Sequence, residues 1–372
     1  MFKKIILGSF TALSAFVTFA QSGYQFTNTS NVKGGYEVED QCQTGTCWSF
    51  ATVSFLEAEI IRQGLPPVDL SEMFNVRVTY PLKAQSYVRF QGKQQFGPGG
   101  LSHDVINTLR THGLVPESAY TGLKGSEKIH NHSSLDALLE GTVKTVLSSK
   151  LNESSDDWMT AVNGMLDAYI GPLPTEFDFQ GKKYTPASFR DAMKINTDNY
   201  VSLSSFTHHP FYTNFVLEVP DNWAKGAFMN LPLDEFHKVI DYALDNGYTI
   251  AWDADVSEKG FSFGSGLAIV PSEPISKDEF GKKIHPEKTI DQKIRQKAFD
   301  EFETTDDHLM HITGKAKDQN GNVYYIIKNS WGTENPFGGY QYVSSSYLRY
   351  KTVSVVLHKD GIPADIKKKI GM

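Results

Sequence analysis

Cysteine is nearly absent from this chain: of 372 residues only Cys42 and Cys47 carry thiols, five positions apart. Two thiols cannot form the disulfide framework that staples small exported domains. A bridge between these two would close a very tight loop, so reactivity is a better use for them than stapling. Positive charge is not in excess either. With 36 Lys plus Arg against 43 Asp plus Glu, the net charge is −7. That balance offers no basic field for phosphate contacts and disfavours nucleic acid as a partner. Internal repeats and low-complexity tracts are missing too, and after residue 20 no apolar run is long enough to span a bilayer.

What is present reads as a packed protein. A 40% hydrophobic and 12% aromatic content is that of a folded chain rather than a disordered one. The length suits one large or two modest domains. Residues 1–20 have the layout of a cleavable signal peptide. Lys3 and Lys4 form a short positive start, Ile5 to Ala20 is uncharged and mostly apolar, and Thr18-Phe19-Ala20 precedes Gln21-Ser22-Gly23. The apolar stretch falls short of the roughly 20 residues a spanning helix needs. The expectation is therefore an exported protein, periplasmic or secreted, with no integral membrane segment after cleavage. Loss of Lys3 and Lys4 leaves 34 cationic against 43 anionic residues, or −9.

Helical patterns dominate the first half. Phe50, Val53, Leu56 and Ile60 recur at helical spacing behind Cys47, and Gly64 ends the run. Further helices are expected from Ser71-Glu72, over Leu101 to His112 with Gly113 as a stop, and over Leu233 to Leu244 behind Pro232. Strand patterns take over later: Tyr248 to Trp252, Val323 to Lys328 after the Asn320-Gly321 turn signal, Tyr340 to Val343, and Val353 to Leu357. This segregation predicts an α+β protein with two packed lobes and a crevice between them.

The run Gln41-Cys42-Gln43-Thr44-Gly45-Thr46-Cys47-Trp48-Ser49-Phe50-Ala51 carries most information. Cys47 falls at a helix start, where unpaired N–H groups and the helix dipole favour an anion, for a cysteine its nucleophilic thiolate. Alone, this separates a reactive thiol only weakly from a buried cysteine acting as a small apolar group. Histidine and asparagine elsewhere in the chain complete the pattern of a catalytic thiol. His308-Leu309-Met310-His311-Ile312-Thr313-Gly314 and Lys328-Asn329-Ser330-Trp331-Gly332 provide them.

These three segments, in this order, resemble the papain superfamily of cysteine peptidases. Within it the chain looks like the bleomycin hydrolase/aminopeptidase C branch. The branch is matched by Leu70-Ser71-Glu72-Met73, Gly99-Gly100-Leu101-Ser102-His103-Asp104-Val105, Tyr184-Thr185-Pro186, Val219-Pro220-Asp221-Asn222-Trp223 and Trp252-Asp253-Ala254-Asp255-Val256. The resemblance implies a papain-like two-lobe fold, a helical lobe plus an antiparallel β lobe. Residues 21–372 would form the peptidase domain, with inserted helical material at about 121–247.

The resemblance also assigns roles. Cys47 would be the nucleophile and His308 its base, together supplying an activated thiolate near neutral pH. Asn329 would orient the imidazole, with Trp331 shielding their hydrogen bond. Gln41 would donate to the oxyanion beside the Cys47 backbone N–H. His311 is the rival base, but on an extended strand His308 and His311 point to opposite faces, and the spacing to Gly314 selects His308.

The expected activity is an aminopeptidase acting on peptides through a Cys47 thioester, without metal or cofactor. The alternatives are an endopeptidase with an open cleft and a non-catalytic peptide-binding protein on the same scaffold. A metal site at Asp306-Asp307-His308-x-x-His311 is a weaker reading, as are His103 and His208-His209 as ligands. In the branch, the C-terminal arm lies in the cleft and receives the substrate amino terminus; here Lys367, Lys368 and Lys369 would repel it. A homo-oligomer, hexameric in the branch, is a further implication. Cys42 stands where the family more often has a small residue such as Gly.

Overall fold

The computed structural model describes residues 23–31, 35–149 and 157–372; the expected leader, residues 1–20, lies outside them. Among the described residues no helix is long and apolar enough to cross a membrane.

After a short strand β1 (Thr27–Asn31), helix α1 (Cys47–Arg62) runs through the middle of the protein. Every residue from Cys47 to Ile60 is buried, so its polar side chains need internal partners. Ser49 Oγ donates to the Glu72 carbonyl and Thr52 Oγ1 to the Trp48 carbonyl, while Glu57 accepts from the Tyr36 and Leu70 N–H groups. Gly64, at φ +79°, takes the left-handed conformation just beyond the helix end.

Helices α2 (Glu72–Arg89) and α3 (Ser102–Thr111) pack beside α1. Ser71 caps α2 by accepting from the Phe74 N–H at 3.1 Å. The expected apolar face of α3 is buried at Val105, Ile106 and Leu109. Helices α4 (Ser133–Ser149) and α5 (Asp157–Ile170) follow, and Arg77 of α2 pairs with Asp167 of α5 at 2.7 Å. The hairpin β2 (Phe177–Phe179) and β3 (Lys182–Tyr184), helix α6 (Pro186–Ala192), strands β4 (Tyr200–Ser204), β5 (Asn214–Val216) and β6 (Ala227–Asn230), and helix α7 (Leu233–Asp245) come next. Among the described residues, 121–247 thus hold four α-helices and five strands.

The remaining chain supplies β7 (Ile250–Ala254), β8 (Phe261–Ser262), β9 (Leu267–Ala268), α8 (Gln292–Asp300), β10 (His308–Lys317), β11 (Val323–Lys328), β12 (Tyr340–Ser344), α9 (Ser345–Lys351), β13 (Thr352–His358) and α10 (Ala364–Lys369). One large sheet runs β5-β6-β4-β13-β7-β10-β11-β12-β9-β8, with β1 paired to β10. Its centre, β13 through β12, is antiparallel as expected, whereas β4–β6 and β9–β12 pair in parallel. These outer partners are joined by long connections rather than tight hairpins, which is what parallel pairing requires. Asn320-Gly321 lies at the β10–β11 turn, where Asp318 Oδ1 accepts from the Asn320 and Asn322 N–H groups.

Strand alternation divides the core. Ala251, Leu309 and Val356 pack with α1, while Trp252, Met310, Val355 and Leu357 pack with α7 on the other face. Helix α10 lies with α7: Lys369 pairs with Glu235 at 2.6 Å, and Asp365 with Lys238 at 2.8 Å. The last lysines therefore sit on the sheet face away from α1.

Candidate active site

Cys47 is the first residue of α1. The preceding Thr46 has its hydroxyl 2.6 Å from that of Thr44 instead of capping the first turn. The Ser49 N–H donates to the Thr46 carbonyl at 2.9 Å, and the positive helix end faces the site without a side-chain cap. Gly45 has to be glycine, because a Cβ would come 2.5 Å from Pro98 Cγ. Across that contact, Trp48 Nε1 donates to the Pro98 carbonyl at 2.9 Å. Helix α1, which begins at Cys47, packs against strand β10, which begins at His308.

His308 starts β10 and is buried, with its ring stacked on Trp331 at 4.4 Å between centroids. Phe261 and Phe263 close on Trp331 edge-on. His308 Nε2 lies 2.9 Å from Asn329 Oδ1, which also accepts from the Ser330 N–H at 2.7 Å. A backbone N–H can only donate, so this atom of Asn329 is the oxygen. Facing an oxygen, Nε2 carries the ring hydrogen in the neutral tautomer, and Nδ1 is left as the proton acceptor.

His311 takes the other face of β10, as alternation predicts. Its Nδ1 lies 2.9 Å from Ser54 Oγ of α1, and its ring packs edge-on against Phe55. With His308 on Asn329 and His311 on Ser54, the Asp306 to His311 segment does not converge as a metal site.

Gln41 is fixed from both lobes. Its backbone N–H donates to the Ser330 carbonyl at 2.9 Å, and Ser330 Oγ donates to Gln41 Oε1 at 2.7 Å. Gln41 Nε2 donates one hydrogen to the Thr44 carbonyl at 2.8 Å, and its second hydrogen remains available. Gln41, Asn329 and His308 are thus linked by hydrogen bonds through Ser330. Gln341 on β12 was not legible from sequence: it accepts from Asn329 Nδ2 at 2.7 Å. Neither it nor Ser330 carries a local signal of its role, since each acts through a hydrogen bond to a group that only the tertiary fold brings near.

Burial sets the electrostatics. It pushes the Cys47 thiol up to about 12, assisted by the charges of Asp306, Asp221 and Asp253 and opposed by the Leu309 N–H. Burial likewise lowers His308 to about 4, against the raising effect of Asn329 and Asp307. The folded environment thus favours a neutral thiol and a neutral imidazole, not the preformed thiolate expected from the helix dipole. Removing water costs each isolated charge more than the dipole returns.

Cys42 and Cys47 are both free thiols. Cys42 sits at φ +53°, in the left-handed region that favours glycine. His208 and His209 lie 3.1 and 2.6 Å from the two Glu218 oxygens, and the three residues could hold a cation on the surface. His103 Nε2 lies 3.6 Å from Asp104, with neither ring nitrogen hydrogen-bonded. Gly260-Phe261-Ser262-Phe263-Gly264 has the spacing of a serine nucleophile elbow, but Ser262 lies on β8 and its Oγ donates to Ser265 Oγ.

The fold and the cysteine, histidine and asparagine arrangement define a papain-like cysteine-peptidase scaffold. The chain belongs to the Peptidase C1-like family, the aminopeptidase C/bleomycin hydrolase group, with residues 85–372 matched. Aminopeptidase G of Lactobacillus delbrueckii subsp. lactis is 22% identical over 88% of this chain and 82% of its own. Aminopeptidase C of Lactobacillus helveticus is 24% identical over 88% and 81%. The crystal structure of pepw from Lactobacillus rhamnosis HN001 shares the fold, with a TM-score of 0.71 at 20% identity over 93% of this chain and 84% of that one.

Proposed function

We propose that this chain is an exported cysteine aminopeptidase that removes N-terminal residues from peptides through a Cys47 thioester. The observation that carries this is the His308 imidazole, stacked on Trp331 and oriented by Asn329, at the start of the strand that packs against the helix begun by Cys47. His308 Nδ1 takes the thiol proton as sulfur attacks the scissile carbonyl. The oxyanion that forms lies within the donor set of the Cys47 backbone N–H and the second Gln41 Nε2 hydrogen. Nδ1 then gives its proton to the departing amine, leaving an acyl group on sulfur. Water, deprotonated by the same nitrogen, attacks the thioester, and the released thiolate recovers its proton.

The aminopeptidase names of the relatives favour the exopeptidase mode, and the charged-then-apolar layout of residues 1–20 supports export. An endopeptidase is the second reading, favoured by α10 packing with α7 away from α1. Purified protein lacking residues 1–20 should hydrolyse peptides with free amino termini and fail on amino-terminally blocked ones. Cys47→Ala and His308→Ala should each abolish turnover while circular dichroism stays native-like. Turnover retained in either variant refutes the peptidase reading, and cleavage of blocked peptides selects the endopeptidase.

A further inference from the structure

Two consecutive histidines and a glutamate meet at the surface, outside the residues assigned to the thiol chemistry. His208 and His209 lie in the turn between β4 and β5, and Glu218 follows β5 by two residues. One ligand atom from each of the three lies within 4.8 Å of the other two, and no other such set of His, Cys, Asp or Glu occurs among the described residues. Aromatic packing sets both rings. His208 stacks on Phe299 of α8 at 5.8 Å between centroids and 9° between planes, and His209 on Phe215 of β5 at 4.7 Å and 28°. The imidazoles are thus aimed at Glu218 by two separate elements.

Partial burial raises the Glu218 carboxyl, but hydrogen bonds from His209 and His208 outweigh that and bring it below its usual value, in the ionised form that binds metal. Two imidazoles and a carboxylate suit a borderline ion, Zn2+, rather than Ca2+ or Mg2+, which prefer oxygen alone. Zn2+ holds such atoms at about 2.0–2.2 Å, so two of them on a tetrahedral ion stand about 3.4 Å apart. His208 Nε2 is 3.1 Å from Glu218 Oε2, and His209 Nε2 is 2.6 Å from Oε1. Opening these contacts to the tetrahedral spacing takes shifts of less than about 1 Å in surface side chains.

We propose that His208, His209 and Glu218 form a Zn2+ site, with Nε2 of each ring and a Glu218 oxygen as ligands and water as the fourth. The Thr207 N–H donates to Gln296 Oε1 at 2.5 Å, which fixes the other amide atom, 3.0 Å from His208 Nδ1, as nitrogen. Nδ1 therefore accepts from Gln296, and the ring hydrogen sits on Nε2. Zinc at Nε2 sends that hydrogen to Nδ1, and the Gln296 amide turns away from it. The ion ties the β4–β5 turn to the segment leading to Asp221, whose Oδ2 a Cβ on Gly99 would approach to 1.9 Å. Gly99 adjoins Pro98, against which Gly45 and Trp48 pack beside Cys47. Zinc therefore steadies a wall on the cysteine side of the site without entering the thiol chemistry.

The test is calorimetric titration of ZnCl2 into the full chain, without a histidine tag and with Cys42→Ser and Cys47→Ala so that no thiol competes. One Zn2+ per chain and a raised melting temperature are expected, and Mg2+ or Ca2+ at the same concentration should give neither. His209→Ala and Glu218→Gln should each weaken zinc at least about tenfold. Gln296→Ala frees His208 Nδ1 and should tighten it. Absence of zinc binding in the parent overturns the proposal, as does unaltered affinity in His209→Ala or Glu218→Gln with a native melting transition. Equal binding of Mg2+ or Ca2+ also overturns it. Unchanged or weaker binding in Gln296→Ala removes His208 from the ligand set and overturns the three-residue site. None of these readouts uses turnover, so failure here leaves the peptidase reading standing, and failure of that reading leaves the zinc site standing.

Discussion

Asn329 Nδ2 donates to Gln341 Oε1 at 2.7 Å, while its Oδ1 lies 2.9 Å from His308 Nε2. One amide thus ties the imidazole to a side chain on the neighbouring strand β12, and the Ser330 N–H on the same Oδ1 settles which way it faces. Gln341→Leu would keep the bulk and leave Asn329 Nδ2 buried without an acceptor, costing about 1–3 kcal/mol. The expected result is a lower melting temperature and a kcat reduced by about tenfold with KM little changed. Unchanged kcat would show that the Ser330 N–H orients Asn329 unaided.

The oxyanion assignment concerns Gln41, which Ser330 Oγ holds through Oε1 at 2.7 Å. Gln41→Ala is expected to lower kcat by about 10²–10³, the usual effect of deleting one oxyanion donor. Ser330→Ala should give a smaller loss, because Thr44 still holds the amide at Nε2. Steady-state kinetics on one substrate would rank the two; equal losses would move the oxyanion role from Gln41 to the Ser330 segment.

The pH profile follows from burial. With His308 lowered to about 4, the imidazole is neutral and able to accept a proton at every pH above that value. The acid limb of kcat/KM is therefore expected near pH 4 rather than at the ordinary 6.5 of histidine. Initial rates across pH 3.5 to about 8 at constant ionic strength measure it. A limb at 6.5 would mean that the ring is solvated in the working enzyme.

Stability should decline toward alkaline pH. Glu57 and Glu117 are each raised to about 8 from an ordinary 4.5, chiefly by burial. Between those values the folded chain holds protons that the unfolded chain has released, so their contribution is full below 4.5 and is lost as pH rises through about 8. Melting temperature should therefore fall across this window. Glu117→Gln, which keeps a neutral side chain at every pH, should flatten the slope; a slope unaltered in that variant would place the titration elsewhere.

Much of the site was legible along the chain because its signals are local. A helix starting at Cys47 and a strand ending just before Asn329 can be seen in spacing alone. Alternation within β10 also separates His308 from His311. The strands that pair in parallel at the sheet edges carry no comparable signal: Tyr200–Ser204, Ala227–Asn230 and Leu267–Ala268 find partners far away in sequence. The same holds for the Ser330 clamp on Gln41, which spans 289 residues.

Residue order by itself determined the α+β class, through the segregation of helical and strand patterns, and placed Cys47 at a helix start; the roles proposed for Cys47, His308 and Asn329 are those the family resemblance implies. Folding decided which charges those groups carry. Burial withdraws water from Cys47 and His308, pushing the thiol up and the imidazole down, and it raises the carboxyls of Asp253 and Asp306. Solvation is a property of the surrounding shell, and that shell is assembled from segments up to about 260 positions apart, from Cys47 to Leu309.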